Sequence, residues 1–141
     1  MINNFSNEFS FLSNFHPSIV KFNNLQFKTV EHAFVAAKSS DLAFHQQIQR
    51  TPNPGKAKRL GRKIKLPLDW DKKKKEVMFN LLKQKFKHPN LRLLLNLTKG
   101  QQIEEGNHWH DNIWGNCSCD KCKNKEGQNL LGKMLMKIRD E

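Results

Sequence analysis

The last third of the chain concentrates residues that suit a polar, flat ligand. Glycine lets a backbone approach a ligand closely, an indole offers a stacking face, and acid and amide groups supply fixed hydrogen bonds. All of these types occur within one predicted turn and one predicted helix start, and they are Asp111, Trp114, Gly115, Gly127, Asn129 and Gly132. The mixture favours a ligand pocket over a packed core.

Two of these residues also have a purely structural interpretation. Asp111 can accept hydrogen bonds from the backbone amides of its own turn while Trp114 packs against the protein. Asn129 can be the N-cap of the last helix, and the cap is the default interpretation for it. Glu105 and Asn107 lie just upstream and can join the same site.

An acid and an amine in a predicted early helix form a second candidate site. Glu31 and Lys38 lie seven residues apart, which places them on one helix face, roughly 10 Å apart along the axis. Long side chains there can converge on one small molecule. The alternative is an exposed acid and an exposed lysine on a solvated surface. The neighbouring His32 points to another face and can simply fill the core.

A cysteine cluster has the spacing of a metal site. Cys117, Cys119 and Cys122 follow one another closely, and His108 and His110 are nearby as fourth ligands. Zinc prefers four thiolate or imidazole donors. The cluster is a candidate site for a structural zinc ion, with Cys117, Cys119, Cys122 and His110 as its ligands; the alternative is three reduced thiols in an inserted loop.

The composition indicates one soluble, cytosolic domain with a polyanionic partner. The chain has 141 residues, and its net charge is +12. Basic residues are concentrated at 56–65 and 72–75, and the first group contains arginines and glycines that suit phosphate contact. The chain carries no apolar run that would span a membrane, no P-loop and no dinucleotide-binding fingerprint. The N-terminus lacks a signal-peptide pattern, so we expect a cytoplasmic protein.

The elements that position these residues are predicted to be mainly helical. Residues 5–28 favour short strands, with a turn at Asn23-Asn24. Thr29 and Asp69 are expected to cap helices. The predicted helices cover 29–39, 41–50, 56–63, 70–87, a segment opening at Pro89, and one starting near Asn129. The Pro89 helix is expected to bury Leu91, Leu94, Leu95 and Leu97, and the last helix Leu131, Met134, Leu135 and Ile138. Residues 100–128 are expected to be irregular.

Taken in order, short segments of the chain resemble the NADAR (YbiA-like) family. These segments are Phe11-Leu-Ser-Asn-Phe15, Thr29-Val-Glu-His-Ala-Phe34 with Ala37-Lys38, Ala57-Lys-Arg-Leu-Gly-Arg62, Trp70, Met78 with Lys85-Phe86, Leu94 with Thr98, Asp111-Asn-Ile-Trp-Gly115, and Gly127-Gln-Asn-Leu-Leu-Gly132 with Leu135-Met-Lys-Ile-Arg139. The resemblance covers nearly the entire chain. It implies a single α+β domain over residues 1–141, mostly helical, with a small N-terminal sheet.

The same resemblance implies a hydrolase of N-glycosidic bonds. Its substrate would be ADP-ribose on modified guanine in nucleic acid, an NAD-derived compound, or a riboflavin-pathway intermediate carrying ribose phosphate. The chain differs from the family pattern at Lys99, which separates Thr98 from Gly100. It also carries an insertion at 117–125, which contains the cysteines and adjoins the expected pocket.

The expected mechanism gives each candidate a role. Cleavage builds positive charge on the ribose. A carboxylate would either stabilise this charge or activate the attacking water, and Glu31 is the first candidate for that carboxylate and Asp111 the second. Alternatively Lys38 attacks the anomeric carbon and forms a Schiff base. No cofactor is required. Phe15 or Trp114 is expected to stack on the base, and Lys58 and Arg62 are expected to bind the phosphates. The remaining residues expected to contact the substrate are Asn14, Gly115, Asn129 and Gly132. The expectation is that distant segments meet around one ribosyl group.

A non-catalytic module that binds NAD, ADP-ribose or nucleic acid is the main rival interpretation. The positive charge supports it as well as it supports an enzyme. An interaction protein built on the methionine-rich last helix is a third alternative, although such stripes usually belong to a core.

Overall fold

A computed structural model describes residues 1–141, and most of its regular secondary structure is helical, with two very small sheets. The chain folds into two compact units, one formed by 14–88 and the other by 1–13 together with 89–141. No helix is both long and apolar enough to cross a bilayer. The prediction of a mostly helical α+β fold with a small sheet near the N-terminus is confirmed.

The unit formed by 14–88 begins with a hairpin and continues with four helices. Strands β1 (Val20–Phe22) and β2 (Leu25–Phe27) pair in antiparallel fashion. Asn23 and Asn24 connect them with φ of 51° and 64°, which is the left-handed pair that a type I′ turn requires. The predicted turn is therefore confirmed. The helices that follow are α1 (Val30–Ala36), α2 (Leu42–Arg50), α3 (Pro54–Gly61) and α4 (Trp70–Lys85).

Side-chain caps fix where three of these helices begin. Thr29 Oγ1 accepts from the His32 amide at 3.1 Å, and Asp41 Oδ1 accepts from the Ala43 amide at 3.0 Å. Asn53 caps α3 in the same way. Asp69 does not cap α4; its carboxylate pairs instead with Lys73 at 2.9 Å. The Thr29 prediction is thus confirmed and the Asp69 prediction is wrong.

Helix α1 is the centre of this unit, since it packs against α2, α3, α4 and both strands. All of its residues except Glu31 are buried. Gly61 of α3 lies directly against Val35 of α1, where an added Cβ would come within 2.9 Å of Val35 Cγ1. This close approach sets the spacing of the two helices that carry most of the predicted charged site.

The unit formed by 1–13 and 89–141 is held by a separate core. Its elements are a 3-10 helix (Asn7–Leu12), α5 (Pro89–Asn96), β3 (Gly106–Asn107), β4 (Asn116–Cys117) and α6 (Leu130–Asp140). Its most deeply buried apolar residues are Ile2, Leu12, Leu95, Ile103 and Leu135. The buried Arg139 donates to the carbonyls of Thr98 at 3.0 Å and Gln101 at 2.7 Å, so it satisfies a turn that would otherwise bury unpaired acceptors.

Several local predictions for this unit are wrong. Residues 7–12 form the 3-10 helix and not a strand. Within the segment predicted to be irregular, β3 and β4 form a short parallel pair. Helix α5 buries Leu95 as predicted, but Leu94 and Leu97 are 39% and 72% exposed, and Leu91 is half-buried, as is Met134 of α6. Helix α5 is covered on one face only, so its other leucines stay in contact with solvent.

The Gly61 contact gives a stability prediction with a matched control in the same helix. Gly61→Ala should destabilise the protein by about 1–2 kcal/mol, because a methyl group must push against the buried Val35 side chain. Gly55→Ala should be neutral or stabilise by about 0.5 kcal/mol, because Ala favours the helix and its Cβ would meet neighbours no closer than 3.6 Å. Urea unfolding measures both. Equal effects of the two substitutions would contradict the close packing of α1 and α3.

Candidate active site

Three basic side chains and one carboxylate gather around α1 and α3. Lys38 follows the end of α1. Lys58 lies in α3, and Arg62, one turn later, is the C-cap residue of that helix. Burial lowers the pKa of Lys38, the Glu31 carboxylate opposes that shift, and the positive charges of Lys58 and Arg62 add to it. Glu31, Lys58 and Arg62 therefore all act electrostatically on Lys38. A larger share of the Lys38 amine is neutral than for an exposed lysine.

Aromatic rings form the surroundings of the Lys38 amine. Lys38 Nζ lies 5.7 Å from the centroid of the Phe34 ring, and Phe34 in turn packs against Trp70 at 5.2 Å. These rings exclude water from one side of the amine, which explains the desolvation that dominates its pKa. A half-buried lysine of this kind is suited to nucleophilic attack, because the lowered pKa makes its neutral form more accessible than that of an exposed lysine.

Asn14 lies beside Glu31 and has an acceptor without a protein partner. The Asn14 carbonyl accepts from the Glu31 amide at 3.1 Å, and its Nδ2 contacts Met78 Sδ at 3.6 Å. Asn14 Oδ1 is buried and accepts no hydrogen bond. Leaving such an atom unpaired costs about 1–3 kcal/mol, which a ligand hydroxyl would recover. This geometry agrees with the predicted contact between Asn14 and a ribose.

Phe15 extends the same surface. Its ring is 41% exposed, and Lys58 Nζ lies 5.9 Å from its centroid. Phe15 also lines a cavity of about 440 Å³, together with Ser18, Thr29 and three prolines. Glu31 and Lys38 do not line that cavity. Phe15 connects the cavity to the charged group, because it lines the cavity and contacts Lys58. An exposed ring next to a cation is suited to stacking against a base.

His32 has a structural role. It is fully buried, its Nδ1 lies 2.8 Å from Thr29 Oγ1, and its Nε2 donates to the Thr51 carbonyl at 3.0 Å. Burial lowers the pKa of His32, so the neutral ring is favoured. Both ring nitrogens are occupied by core partners, and the interpretation of His32 as a core residue agrees with this geometry.

In the other unit, Asp111 organises its own turn. Its Oδ1 accepts from the amides of Ile113 at 3.1 Å and Trp114 at 2.9 Å. Asn107 Nδ2 donates to the Asp111 carbonyl at 2.8 Å, so the start of the turn is held as well. The contacts of Asp111 therefore agree with its structural interpretation, in which the carboxylate accepts hydrogen bonds from the amides of its own turn. Catalytic action by Asp111 and ligand stacking by the half-buried Trp114 stay predictions.

Gly115, Asn129 and Gly132 pack where backbones approach one another. A Cβ on Gly115 would overlap the Glu105 carbonyl, and a Cβ on Gly132 would overlap the Ile103 carbonyl. Asn129 does not cap α6, so the default interpretation is wrong. Its Oδ1 accepts from the Glu105 amide at 2.9 Å and its Nδ2 donates to the Ile103 carbonyl at 3.0 Å. Substrate contacts by these three residues stay predictions.

The cysteines and one histidine form a cluster that could bind a metal ion. The nearest ligand atoms of His110, Cys117, Cys119 and Cys122 all lie within 4.8 Å of one another. No disulfide joins the three cysteines. His108, the other candidate for fourth ligand, instead contacts Ser118 Oγ through Nδ1 at 3.2 Å.

Sequence reasoning assigned no role to Lys85, which is fully buried. Desolvation lowers its pKa from 10.5 to about 7. Its amine lies 5.3 Å from the centroid of the Phe86 ring. The available signal was its position, since Lys85 falls on the same face of α4 as the buried Met78, Leu81 and Leu82.

Lys85 should make stability depend on pH. Near and below pH 7 the folded state bears the cost of a buried charge. As the pH rises from 7 toward 10.5, the folded protein loses this proton before the unfolded chain does, so stability increases. Between pH 7 and 9 the free energy of unfolding should rise by about 2 kcal/mol more in the wild type than in Lys85→Met. Denaturant unfolding at both pH values measures this, with the exposed Lys75→Met as control. A parallel pH response of all three proteins would contradict a depressed Lys85 pKa.

The chain is similar to known proteins over almost its entire length. The NADAR domain family matches residues 2–141. N-glycosidase YbiA of Escherichia coli is 33% identical over 139 residues, covering 96% of this chain and 83% of that protein. An N-glycosidase of Nostoc punctiforme is 36% identical over 135 residues, covering 92% and 83%. The NMR structure of E. coli YbiA superimposes with a TM-score of 0.80 at 31% identity, covering 99% of this chain and 85% of that one.

These findings confirm the resemblance and the prediction of a hydrolase of the N-glycosidase type. The assignment of residues 1–141 to a single domain, with an insertion at 117–125, stays a prediction. Because the family match spans the chain almost from end to end, the chain belongs to the NADAR family.

Proposed function

We propose that this protein hydrolyses the N-glycosidic bond between a base and a ribose that carries phosphate. The substrate would be ADP-ribose attached to guanine in nucleic acid, or a riboflavin-pathway intermediate. The observation that carries the proposal is the half-buried Lys38, whose pKa is lowered by burial and by Lys58 and Arg62 while Glu31 opposes the shift. A lysine that interacts electrostatically with a carboxylate and two further cations suits the recognition of a phosphorylated sugar.

Lys58 and Arg62 would bind the phosphate or pyrophosphate. They lie four residues apart at the end of α3, so they share a face of the helix. Arg62 offers a planar fork of donors to phosphate oxygens, and Lys58 offers a point charge. Asn14 Oδ1, which is buried without a protein partner, would accept from a ribose hydroxyl.

One route to bond cleavage uses the Glu31 carboxylate. As the base leaves, positive charge builds on the ribose ring, and a negative group nearby stabilises it. The same carboxylate can take a proton from the attacking water, and the departing base nitrogen receives a proton. Glu31 is half-buried in the first turn of α1, so its charge is less screened than at the surface.

A second route uses Lys38 as a nucleophile. The C1–O4′ bond of the ribose breaks, O4′ takes a proton, and the base nitrogen becomes double-bonded to C1. The neutral amine then adds to C1, the base leaves with a proton that the amine has lost, and a Schiff base links C1 to Nζ. Water then adds to C1 and the amine leaves, which regenerates Lys38 and releases the free sugar. The lowered pKa of Lys38 favours this route, because the attacking form is the neutral amine.

Phe15, or alternatively Trp114, would stack on the base. Phe15 has the exposed ring that this role requires. Bond cleavage on either route requires no cofactor, and a zinc ion held by the cysteine cluster would be structural. Asp111 is a second candidate for the acid, and its turn hydrogen bonds use Oδ1. The cytoplasmic location stays a prediction.

The proposal predicts that Glu31→Gln and Lys38→Ala lose turnover while keeping their fold. Each variant and the wild type would be incubated with ADP-ribosylated guanosine and, separately, with ribosylated pyrimidine phosphates. Released ADP-ribose or ribose 5-phosphate is the readout. The wild type should release one of these products, and either variant should lose at least about 100-fold in rate. Lys63→Ala is the control, since Lys63 is an exposed cation next to Arg62.

The same assay tests the rival function. Binding of both compounds without release by the wild type would favour a non-catalytic binding module. Full activity in both Glu31→Gln and Lys38→Ala would refute the residue assignments, with circular dichroism showing whether each variant is folded.

Borohydride trapping separates the two routes. If Lys38 forms a Schiff base, cyanoborohydride added during turnover should leave a stable sugar adduct on Lys38, located by peptide mass spectrometry. Arg62→Gln should reduce trapping at pH 7, because removal of that positive charge raises the pKa of Lys38 and lowers its neutral fraction. Trapping in Arg62→Gln should recover as the pH is raised. An active enzyme that yields no Lys38 adduct would favour the carboxylate route.

A further inference from the structure

We propose that His110, Cys117, Cys119 and Cys122 bind one zinc ion, and that this ion holds the turn from Asp111 to Trp114 in its folded form. The metal site itself is independent of the proposed enzymatic activity. Its consequence for ligand binding by the turn rests on the proposed function.

The ligand atoms already approach the spacing of a tetrahedral site. Zn–S bonds of about 2.3 Å place two sulfurs roughly 3.8 Å apart, and a sulfur and a nitrogen somewhat closer. His110 Nδ1 lies 3.2 Å from Cys119 Sγ and 3.5 Å from Cys122 Sγ. All four ligand atoms lie within 4.8 Å of one another. Three thiolates and one imidazole are a complete donor set for structural zinc.

The backbone around the cluster is arranged to receive a charged sulfur. The amides of His110 and Cys119 both point at Cys117 Sγ, at 3.3 Å and 3.5 Å. Amide donors stabilise a thiolate more than a neutral thiol. His110 itself adopts φ of 70°, which is uncommon for a residue with a side chain. In this conformation the imidazole presents Nδ1 to Cys119 and Cys122.

The cluster ties together both ends of the turn that carries Asp111 and Trp114. His110 directly precedes Asp111, and Cys117 lies in β4, which pairs with Asn107 of β3. The Cys117 amide donates to Asn112 Oδ1 at 2.8 Å. A metal ion would therefore close a loop from His110 to Cys117 and would fix the inserted segment through Cys119 and Cys122.

The turn from Asp111 to Trp114 also provides hydrogen-bond acceptors for the start of α6. The amides of Leu130 and Leu131 donate to the carbonyls of Ile113 and Trp114 at 3.1 Å and 3.0 Å. The first amides of a helix have no partner inside the helix, so an external acceptor is needed. Loss of the metal would loosen these contacts, because few apolar side chains hold 107–118 together.

Metal content and amide exchange test the proposal together. The full chain, purified without chelators and without a histidine tag, should contain about one zinc per chain by elemental analysis. Zinc added to metal-free protein should release protons, since the thiols must ionise. Removal of zinc should speed hydrogen exchange at the Ile113 and Trp114 amides by at least about tenfold. Amides in the middle of α4 should be unaffected and are the internal control.

His108→Ala is the matched control for His110→Ala. Both histidines are exposed in the same segment, but His108 contacts Ser118 and lies outside the cluster. Zinc affinity should fall by at least about tenfold in His110→Ala and in Cys119→Ser, and should be unchanged in His108→Ala. Equal affinities in the two histidine variants would remove His110 from the ligand set.

Two outcomes would overturn the proposal. Protein that is isolated without metal and takes up no added zinc, or whose cysteines are joined in a disulfide, would exclude the site. Protein that binds zinc but shows unchanged exchange at Ile113 and Trp114 after its removal would exclude the positioning role. Absence of N-glycosidase turnover in zinc-loaded protein would count against the proposed function and not against the metal site.

Discussion

The close contact between Val35 of α1 and Gly61 of α3 fixes how the charged side chains of the candidate site face one another. With no side chain at Gly61, the two helices can approach until Val35 touches the α3 backbone. That approach brings Lys58 and Arg62 close enough to lower the pKa of Lys38, while Glu31 acts in the opposite direction. Three cations and one carboxylate repel on balance. In the proposed function, a phosphorylated ligand would offset this excess of positive charge.

Buried polar groups in the two units are satisfied in different ways. In 14–88, His32 has core partners on both ring nitrogens, whereas Asn14 Oδ1 and Ser18 Oγ are buried without partners. In the unit that contains 89–141, amide side chains replace regular sheet hydrogen bonds: Asn107 holds Asp111, and Asn129 holds the backbone at Ile103 and Glu105. The first unit therefore keeps two unsatisfied buried polar atoms, whereas the second is held mainly by its own polar network.

Local signals in the sequence predicted much of the fold. Thr29, Asn23-Asn24 and the periodicity of α4 and α6 act within a few residues, so their outcome depends little on the rest of the chain. The leucines of α5 show the limit, because helical spacing identifies an apolar face but not how much of it a neighbour covers. Asn129 fits the pattern of a cap, yet its amide bonds residues more than twenty positions away, and no local pattern reports such a contact.

The candidate site was predictable in its members but not in its energetics. Ordered motifs identified Glu31, Lys38, Lys58 and Arg62, whereas the burial that lowers the Lys38 pKa follows from packing against Phe34. Both His108 and His110 lie near the cysteines in sequence, but only the fold shows that His110 joins their cluster while His108 contacts Ser118. Lys85 shows the same limit, since a lysine in a helix is ordinarily read as exposed and here it lies on the core side of α4.

A crystal structure with bound ADP-ribose, and a second with ribose 5-phosphate, tests the central claim most directly. The account predicts a phosphate in contact with Lys58 or Arg62, a ribose hydroxyl donating to Asn14 Oδ1, and the anomeric carbon about 3–4 Å from Lys38 Nζ or the Glu31 carboxylate. Ligand bound elsewhere in both structures, with α1 and α3 free of it, would contradict the assignment of this charged group as the active site.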